Sequence, residues 1–562
     1  MFFKKVHYLV FLSAVCTLSD SANDDLVFTH IDDLMTMMKQ MNATLHKQHR
    51  RLVGRMIKVD NKFKEIQTLV SVMAPDVVTN KLMMKPLYNK IDKIEEKVDA
   101  LIESARICKD ENVTNIVQEY VTGKKIGDAI KKQHTSKPKY TSCNSHMGKE
   151  YVVMFPKSSW YAKSAQILIS SIENTNVTLR SQHPGINRTI NVRADKGTIV
   201  DLPKSIFQQG SYVENKGILL TSTSDISVNC FPISNIGGDE KGDIFSAIPV
   251  KNLGKSYLYV GYDRSVMSMV ALYDDTHVNI TITGWNSPLP LSGNRVKNEK
   301  YQRGDIIQVK LQRLSTFQIF GDSSLLNIRV DSDKKIGVVT GSTVAGFFHD
   351  DVSKYNCLLS FIPPITTFGT QFIVPPNAFS KHSTVFIYSK RNLTNKYEFF
   401  GRKYFYSGSF PGYRRQQKLK AAFPYLVSTS VPSAVIQMTY IWTSLVFPSQ
   451  TLIPSLSHFS NFYKFMTPTR PVFHQYVVII ILEKYTDGLR FDGVAIRDWA
   501  PDIHVLPDEK VNYNVIMLKI GPGQHEVFHT YTNVTYGVMI QGMSPTLTYG
   551  FPAGLRLSDV CH

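Results

Sequence analysis

Residues 148–180 contain two β-rich segments that decide the fold. The first reads Gly148-Lys-Glu-Tyr-Val-Val-Met154 and stops before Pro156. The second reads Ile167-Leu-Ile-Ser-Ser-Ile-Glu-Asn-Thr-Asn-Val-Thr-Leu-Arg180 and alternates around a polar centre. Aromatic and β-branched residues in period-two alternation are typical of strands. We therefore predict a strand in each segment.

The same pattern returns three times along the chain. Tyr151 is matched by Tyr257, Phe372 and Tyr476, which follow at intervals of 106, 115 and 104 residues. An apolar strand closes each segment, at residues 226–231, 336–340, 434–440 and 536–541. The third segment lacks a Thr-x-Val-x-Ile element and the fourth lacks the opening glycine, so chance similarity is the alternative.

A constant period indicates tandem structural units. Units of about 100 residues with many short strands are typical of β-sandwiches. We therefore predict a mainly β fold with about four tandem β-sandwich-like repeats, preceded by an N-terminal α-helical coiled-coil segment. The repeats are expected at about residues 148–250, 251–365, 366–470 and 471–562.

Composition and charge restrict the class of protein. A chain of 562 residues with 43% hydrophobic residues can form several folded domains. Its net charge of +18 and pI near 9.3 favour anionic partners such as sialylated or sulfated glycans. The alternative is that the excess charge serves only solubility.

The N-terminus indicates secretion. Lys4 and Lys5 precede an apolar run at residues 6–14, and small residues follow up to Ser21, as in a signal peptide over residues 1–21. No later apolar run reaches the ~18 residues of a membrane-spanning helix, so we predict no transmembrane anchor. Seven Asn-x-Ser/Thr sequons agree with a glycosylated, extracellular protein. They start at Asn42, Asn112, Asn176, Asn187, Asn279, Asn392 and Asn533.

Residues 22–122 are predicted to be helical. Their apolar residues follow alternating steps of three and four, which is the a/d pattern of a coiled coil. They are Ile31, Leu34, Met38, Met41, Leu45, Leu52, Val59, Ile66, Leu69 and Met73, followed after Pro86 by Ile91, Ile94, Val98 and Leu101. We therefore expect a homo-oligomer through these helices. The alternative is a pair of amphipathic helices folded back on the β region. A basic linker over residues 123–147 follows.

Five cysteines remain once the signal peptide is removed, and all are disulfide candidates. They are Cys108, Cys143, Cys230, Cys357 and Cys561. An odd number in a secreted chain indicates one intermolecular bridge or one free thiol. We favour bridges from Cys143 to Cys230 and from Cys357 to Cys561. Cys108, at a d position of the heptads, is then left for a partner chain, although the sequence leaves the connectivity open.

The sequence has few motifs that carry chemistry. There is no Cys-x-x-Cys, Walker loop or Gly-x-Ser-x-Gly. His525-Glu-Val-Phe-His529 has the His-Glu-x-x-His spacing, but that motif binds zinc on a helix, where both histidines share one face, and this segment lies in the predicted β region. The carboxylates of Asp274-Asp275 and Asp331-Ser-Asp333 resemble calcium ligands without the fuller set of an EF-hand loop. Asp492-Gly493 is typical of a turn. We therefore predict no catalytic, cofactor-binding or metal-binding residue and no enzyme.

Several blocks together resemble the N-terminal domain of the IgGFc-binding protein family, over roughly residues 148–560. The blocks, in order, are Lys255-Ser-Tyr-Leu-Tyr259, Phe361-Ile-Pro-Pro-Ile-Thr-Thr-Phe-Gly-Thr-Gln-Phe-Ile-Val-Pro-Pro376, Leu489-Arg-Phe-Asp-Gly493, Gly523-Gln-His525, Tyr536-Gly-Val-Met-Ile-Gln-Gly542 and Tyr549-Gly-Phe-Pro-Ala-Gly554. The resemblance implies an extracellular binding region. Family members often carry cysteine-rich von Willebrand D repeats, whereas this chain has the heptad segment.

These observations predict a secreted glycoprotein that acts in recognition or adhesion. It would bind extracellular proteins or anionic glycans through the β repeats and multimerise through its helical N-terminus, with no nucleic-acid partner. The alternative is a structural component of mucus, extracellular matrix or a surface coat. A glycan-directed enzyme is a third possibility, which needs a carboxylate pair in a cleft.

Overall fold

The structure, a computed structural model, describes residues 146–557 except 158–161, 237–238, 262–263, 284–288, 291–299, 321–327, 350–351, 391–392, 400–401, 409–413, 441–446, 471–472 and 508–510. All of these residues belong to the compact unit Pro138–His562. The predicted signal peptide, the helical segment 22–122 and the linker up to residue 145 lie outside the described residues.

The prediction of a mainly β protein is confirmed, because 63% of the described residues are in strands arranged in several sheets. Within the described ranges, helices are limited to short 3₁₀ segments. These are Lys204–Ile206, Val250–Asn252, Ile365–Thr367, Leu456–His458, Glu483–Gly488 and Ile496–Trp499.

The first unit forms one sheet around a long strand, β6. Its strands are β1 (Gly148–Val153), β2 (Ala162–Ser171), β3 (Thr175–Ser181), β4 (Arg188–Val192), β5 (Thr198–Pro203), β6 (Ile218–Ile236), β7 (Asp239–Gly242) and β8 (Phe245–Ser246). The order is β4-β3-β6-β2-β5, and β1, β7 and β8 also pair with β6. The segment 167–180, predicted as one strand, is therefore two strands on opposite sides of β6.

The second unit repeats this arrangement around β16. Its strands are β9 (Gly254–Leu258), β10 (Ser265–Ala271), β11 (Thr276–Ile282), β12 (Leu289–Pro290), β13 (Lys300–Tyr301), β14 (Ile306–Leu311), β15 (Thr316–Phe320), β16 (Ile328–His349) and β17 (Val352–Phe361). The order is β14-β11-β16-β10-β15, and β9 and β17 also pair with β16. Strands β12 and β13 form a separate two-stranded sheet.

The third unit has the same order around β23. Its strands are β18 (Gly369–Val374), β19 (His382–Ser389), β20 (Leu393–Phe399), β21 (Arg402–Gly408), β22 (Arg414–Lys420), β23 (Tyr425–Tyr440) and β24 (Gln450–Ile453). The order is β21-β20-β23-β19-β22, and β18 and β24 also pair with β23.

The fourth unit divides its strands between two sheets. They are β25 (Phe462–Thr467), β26 (His474–Leu482), β27 (Leu489–Phe491), β28 (Val494–Ala495), β29 (Asp502–Pro507), β30 (Asn512–Ile520), β31 (Gly523–His529), β32 (Gly537–Met543) and β33 (Thr548–Pro552). The orders are β25-β31-β27-β28 and β29-β30-β26-β32-β33. Strands β31 and β32 together replace the long strand, and residues 530–536 separate them.

A buried tyrosine marks the opening strand in three units. Its hydroxyl donates a hydrogen bond to a carbonyl oxygen on, or next to, the long strand or its replacement. The bonds are Tyr151 to Ile226 (2.7 Å), Tyr257 to Ile336 (2.7 Å) and Tyr463 to Tyr536 (2.8 Å). This contact joins the beginning of each of these units to its closing part.

The position predicted for this residue in the fourth unit was wrong. Tyr476 lies in β26, which matches β2, whereas Tyr463 lies in the opening strand β25 and pairs with β31. The fourth unit therefore begins before residue 471. Ser460 replaces the glycine that opens the other units, and its N–H donates to the Tyr463 hydroxyl at 2.9 Å. The sequence pattern missed the strand because its glycine is missing.

The four units close into a ring. Their final strands β8, β17, β24 and β33 contact each other in turn, and β33 contacts β8. The buried apolar residues also form four clusters that each include residues of neighbouring units. The units therefore share a continuous hydrophobic core and are not separate domains with their own cores.

Asp243 lies at the centre of this ring and is fully buried. Its carboxyl group accepts backbone N–H groups of Ile244, Leu359, Gln450 and Gly550, one from each unit. Burial raises the pKa of Asp243 well above its usual range, and the four N–H groups oppose that shift. One side chain thus satisfies backbone donors from all four units.

Candidate functional site

A cleft of about 630 Å³ opens between the first and second units, and we call it the arginine cleft. Three arginines line it: Arg180 and Arg188 from the first unit and Arg313 from the second. Asn187 of the first unit and Asp274 of the second also line it.

Strands β3 and β4 build the first wall. Side chains alternate along β3, so Val177 and Leu179 are buried while Arg180 is exposed. Arg188 opens β4 opposite Leu179, and its guanidinium donates to the Asp201 carbonyl oxygen at 3.1 Å. Period-two alternation therefore places both arginines at the surface.

The turn between β14 and β15 builds the second wall. Leu314 adopts a left-handed conformation there, with φ +63°. The Arg313 N–H donates to Asp274 Oδ1 at 2.9 Å, and Gln182 Nε2 of the first unit donates to the Arg313 carbonyl oxygen at 2.9 Å. The Gly217 N–H donates to the Leu314 carbonyl oxygen at 3.0 Å. These bonds across the interface fix the separation of the walls.

The cleft has an excess of positive charge. Among the described residues, the guanidinium groups of Arg180 and Arg313 have no hydrogen-bond acceptor. Asp275, beside the cleft, already accepts hydrogen bonds from Lys310 and Gln312, and these bonds lower its pKa to about 2. Its negative charge is therefore paired with Lys310. Free guanidinium groups are suited to carboxylate, sulfate or phosphate oxygens through paired N–H donors. The arrangement can therefore hold an anionic group.

The described sequons are all at the surface. Asn176, Asn187, Asn279 and Asn533 have exposed side chains, as glycosylation requires. Asn42, Asn112 and Asn392 lie outside the described residues. Asn187 is also part of the arginine cleft, so a glycan there would stand at its mouth.

The described cysteines are buried. Cys230 in β6 and Cys357 in β17 are free thiols, and burial raises the pKa of both. Each predicted bridge, from Cys143 to Cys230 and from Cys357 to Cys561, has one partner outside the described residues and stays a prediction. Both sulfur atoms are enclosed in the core formed by the units, which the sequence spacing did not reveal. Cys108, Cys143 and Cys561 lie outside the described residues.

The carboxylates noted in the sequence have structural partners. Asp331 accepts hydrogen bonds from Ser256 at 2.6 Å and Arg329 at 2.7 Å. Asp492, in the turn after β27, bonds His525 Nδ1 at 2.8 Å, and the buried imidazole stacks on Phe491. Within the described ranges, no group of three or more His, Cys, Asp or Glu residues is placed to hold a metal ion. In that same part of the chain, no helix has the length and apolar character needed to cross a membrane.

The arginine cleft was not predicted from the sequence. Arg313 is far from Arg180 and Arg188 along the chain, and the three meet only because the first two units pack together. The one available signal was the net charge of +18, which does not indicate where on the surface the positive charge is concentrated.

A ring of four β units with a cationic interunit cleft defines a repeat protein with a surface suited to binding. A sequence model of the family described as IgGFc binding protein matches residues 243–542. The chain belongs to this family, which confirms the resemblance found in its motifs. The match runs from the end of the first unit into β32 of the fourth. No curated protein matches the chain significantly.

Comparison with solved structures gives weak similarities. The BSP domain of a biofilm associated protein is 8% identical with a TM-score of 0.13, covering 75% of this chain and 98% of that chain. Escherichia coli alpha-2-macroglobulin activated by porcine elastase is 9% identical with a TM-score of 0.11, covering 72% and 43%. Arabinofuranosyltransferase AftD from Mycobacteria is 8% identical with a TM-score of 0.10, covering 66% and 38%. Scores this low carry no argument about fold or function.

Proposed function

We propose that the chain is a secreted glycoprotein for extracellular recognition or adhesion, which binds proteins or glycans through its β units. Membership of the IgGFc binding protein family supports protein binding outside the cell. The observation that carries the proposal is the arginine cleft, in which two guanidinium groups have no acceptor among the described residues. The function is binding rather than catalysis.

The ligand class follows from the chemistry of the cleft. Its walls supply several N–H donors, and Asp274 is the one carboxylate among the residues that line it. A sulfated or sialylated glycan, or an acidic segment of a protein, offers the matching acceptors. The partner is therefore acidic, in agreement with the positive charge of the whole chain.

Binding by the double variant Arg180→Glu/Arg313→Glu tests this site. Surface plasmon resonance on a sulfated glycan and on a sialylated glycoprotein should show at least tenfold weaker binding, because hydrogen bonds to charged groups are each worth ~1.5–3 kcal/mol. Binding by the wild type should also weaken as salt is raised. Lys381→Glu/Arg470→Glu, which reverses two exposed cations of the third and fourth units and changes the net charge by the same amount, is the matched control. Equal losses in both proteins would show that net charge, not the cleft, determines binding.

Multimerisation through residues 22–122 would raise the avidity of a weak cleft by ~10²–10⁴-fold when geometry permits. The heptad pattern and the position of Cys108 in it support this part of the proposal. Cys108→Ser should remove a covalent dimer band on non-reducing gels while light scattering still shows an oligomer. A monomeric wild type at micromolar concentration would reject the multimer and leave the cleft proposal intact.

A further inference from the structure

The loop between β31 and β32 presents the most exposed large apolar side chain in the described part of the protein. Tyr531 is 65% exposed, and Asn533, two residues later, is an exposed sequon asparagine. The loop interrupts the position where β6, β16 and β23 run continuously in the other units. It is therefore a feature of the fourth unit that the shared fold does not require.

Hydrogen bonds to the loop backbone and to its neighbours hold the loop in one conformation. The Val534 N–H donates to the Tyr531 carbonyl oxygen at 3.3 Å and closes a turn over residues 531–534. The Tyr531 N–H donates to His529 Nδ1 at 2.9 Å, and His529 Nε2 donates to the Tyr485 carbonyl oxygen at 2.8 Å. Asn461 Nδ2 bonds the Thr532 carbonyl oxygen at 2.5 Å.

Packing supports the same conformation. The buried His529 ring lies 5.6 Å from the Tyr531 ring, and its approach leaves no room for a side chain at Gly488. A Cβ atom there would lie 2.1 Å from His529 Nε2. The exposed aromatic ring therefore sits on a rigid base rather than on a free loop.

The spacing of Tyr531 and Asn533 is particular to this sequon. Of the seven sequon asparagines, Asn533 alone follows a Phe, Tyr or Trp by two residues. In the 531–534 turn these residues occupy the first and third positions, and both side chains point to solvent. A sugar attached at Asn533 Nδ2 would therefore start in the same four-residue turn as the Tyr531 ring.

We propose that the first N-acetylglucosamine of a glycan on Asn533 packs its apolar face on the Tyr531 ring. One face of this sugar presents C–H groups, and the face of an aromatic ring is electron-rich, so the two surfaces attract. The contact covers apolar area that otherwise remains in water. Because Tyr531 is already positioned, ordering the sugar requires no rearrangement of the loop. The inference rests on glycosylation in the secretory pathway but not on the arginine cleft.

Chemical protection of Tyr531 tests the contact. Full-length protein is secreted from a eukaryotic host that adds high-mannose glycans, and samples are trimmed with endoglycosidase H, which leaves the first sugar, or with peptide N-glycosidase F, which removes it. Nitration of Tyr531, located by peptide mass spectrometry, should be several-fold slower in the intact and endoglycosidase H samples. Equal nitration with and without the first sugar overturns the proposal, as does a peptide map with Asn533 unmodified.

Stability gives a second readout. Asn533→Gln should lower the unfolding midpoint of the secreted protein by about 2–4 °C, and the same substitution in a Tyr531→Ala background should not. Asn176→Gln removes an exposed sequon that follows Asn174 rather than an aromatic residue, and its effect should be the same in both backgrounds. An Asn533→Gln shift that persists without Tyr531 would assign the effect to the glycan alone and reject the contact.

Discussion

Removal of the Asp243 carboxyl group should loosen all four units at once. In Asp243→Ala, the N–H groups of Ile244, Leu359, Gln450 and Gly550 lose their acceptor. A buried donor without a partner costs ~1–3 kcal/mol, so four of them cost ~4–12 kcal/mol. A water molecule entering the vacated space would reduce this cost, and we therefore expect a loss near the lower limit. Such a loss is large beside a total stability of ~5–15 kcal/mol.

The assay is urea unfolding followed by far-ultraviolet circular dichroism, together with amide hydrogen exchange. Exchange should accelerate at Leu359, Gln450 and Gly550, which lie in three different units, because their N–H groups share the lost acceptor. Asp201→Ala, which removes an exposed carboxylate, is the control and should change stability by less than ~0.5 kcal/mol. An Asp243→Ala protein within ~1 kcal/mol of the wild type would refute the role assigned to this residue.

Asp243→Asn provides a variant that is more certain to fold. It keeps the Oδ1 acceptor of the Ile244 N–H and replaces Oδ2, which accepts the Leu359 N–H, by a donor. Because the folded pKa of Asp243 lies above the ordinary 3.8, the folded state binds the proton more tightly than the unfolded chain. This contribution is complete below pH 3.8 and is lost as the pH rises through the folded pKa. The wild type should therefore exceed Asp243→Asn in stability most clearly in acid, and a difference that grows with pH would contradict this.

Two further predictions concern burial and close packing. Burial lowers the pKa of His146 from 6.5 to about 4, so the free energy of unfolding should fall by up to ~3 kcal/mol as the pH drops from 6.5 through 4. The His146 ring stacks on Tyr463, and His146→Phe should remove this loss, measured by urea unfolding at pH 7 and pH 4.5. A Cβ atom at Gly217 would lie 2.6 Å from Val270 and 2.7 Å from the Leu314 carbonyl oxygen, so Gly217→Ala should cost ~1–3 kcal/mol and weaken anion binding by shifting the cleft walls. Unchanged stability and affinity in Gly217→Ala would show that the interface between the first and second units accommodates a methyl group without loss of free energy.

Local patterns in the sequence predicted the strands well. The closing strands expected at residues 226–231, 336–340 and 434–440 lie within β6, β16 and β23, and residues 536–541 fall largely in β32. Period-two burial explains this success, because a strand in a shared sheet needs apolar residues on its core face. The motif blocks also indicated the family, which the family-model match over residues 243–542 then confirmed.

Arrangements that depend on distant contacts were not visible in the sequence. Tyr463 was missed because its opening glycine is replaced by Ser460, although the tyrosine hydroxyl makes the same bond as in the first two units. Asp243 had no motif at all, since its partners come from four separate units. The burial of Cys357 among the units was likewise not visible in the sequence.

The features that the units share and the features that differ serve separate purposes. The opening tyrosine and the continuous long strand each recur in three units and the final strand in all four, because each unit must join the ring. The arginine cleft belongs to one interface, and the Tyr531 loop exists only where the long strand of the fourth unit is split. Neither is required to close the ring. Because the ring already buries the cores, these two places are free to vary with a ligand or a glycan, and recognition should be sought there rather than in the repeated framework.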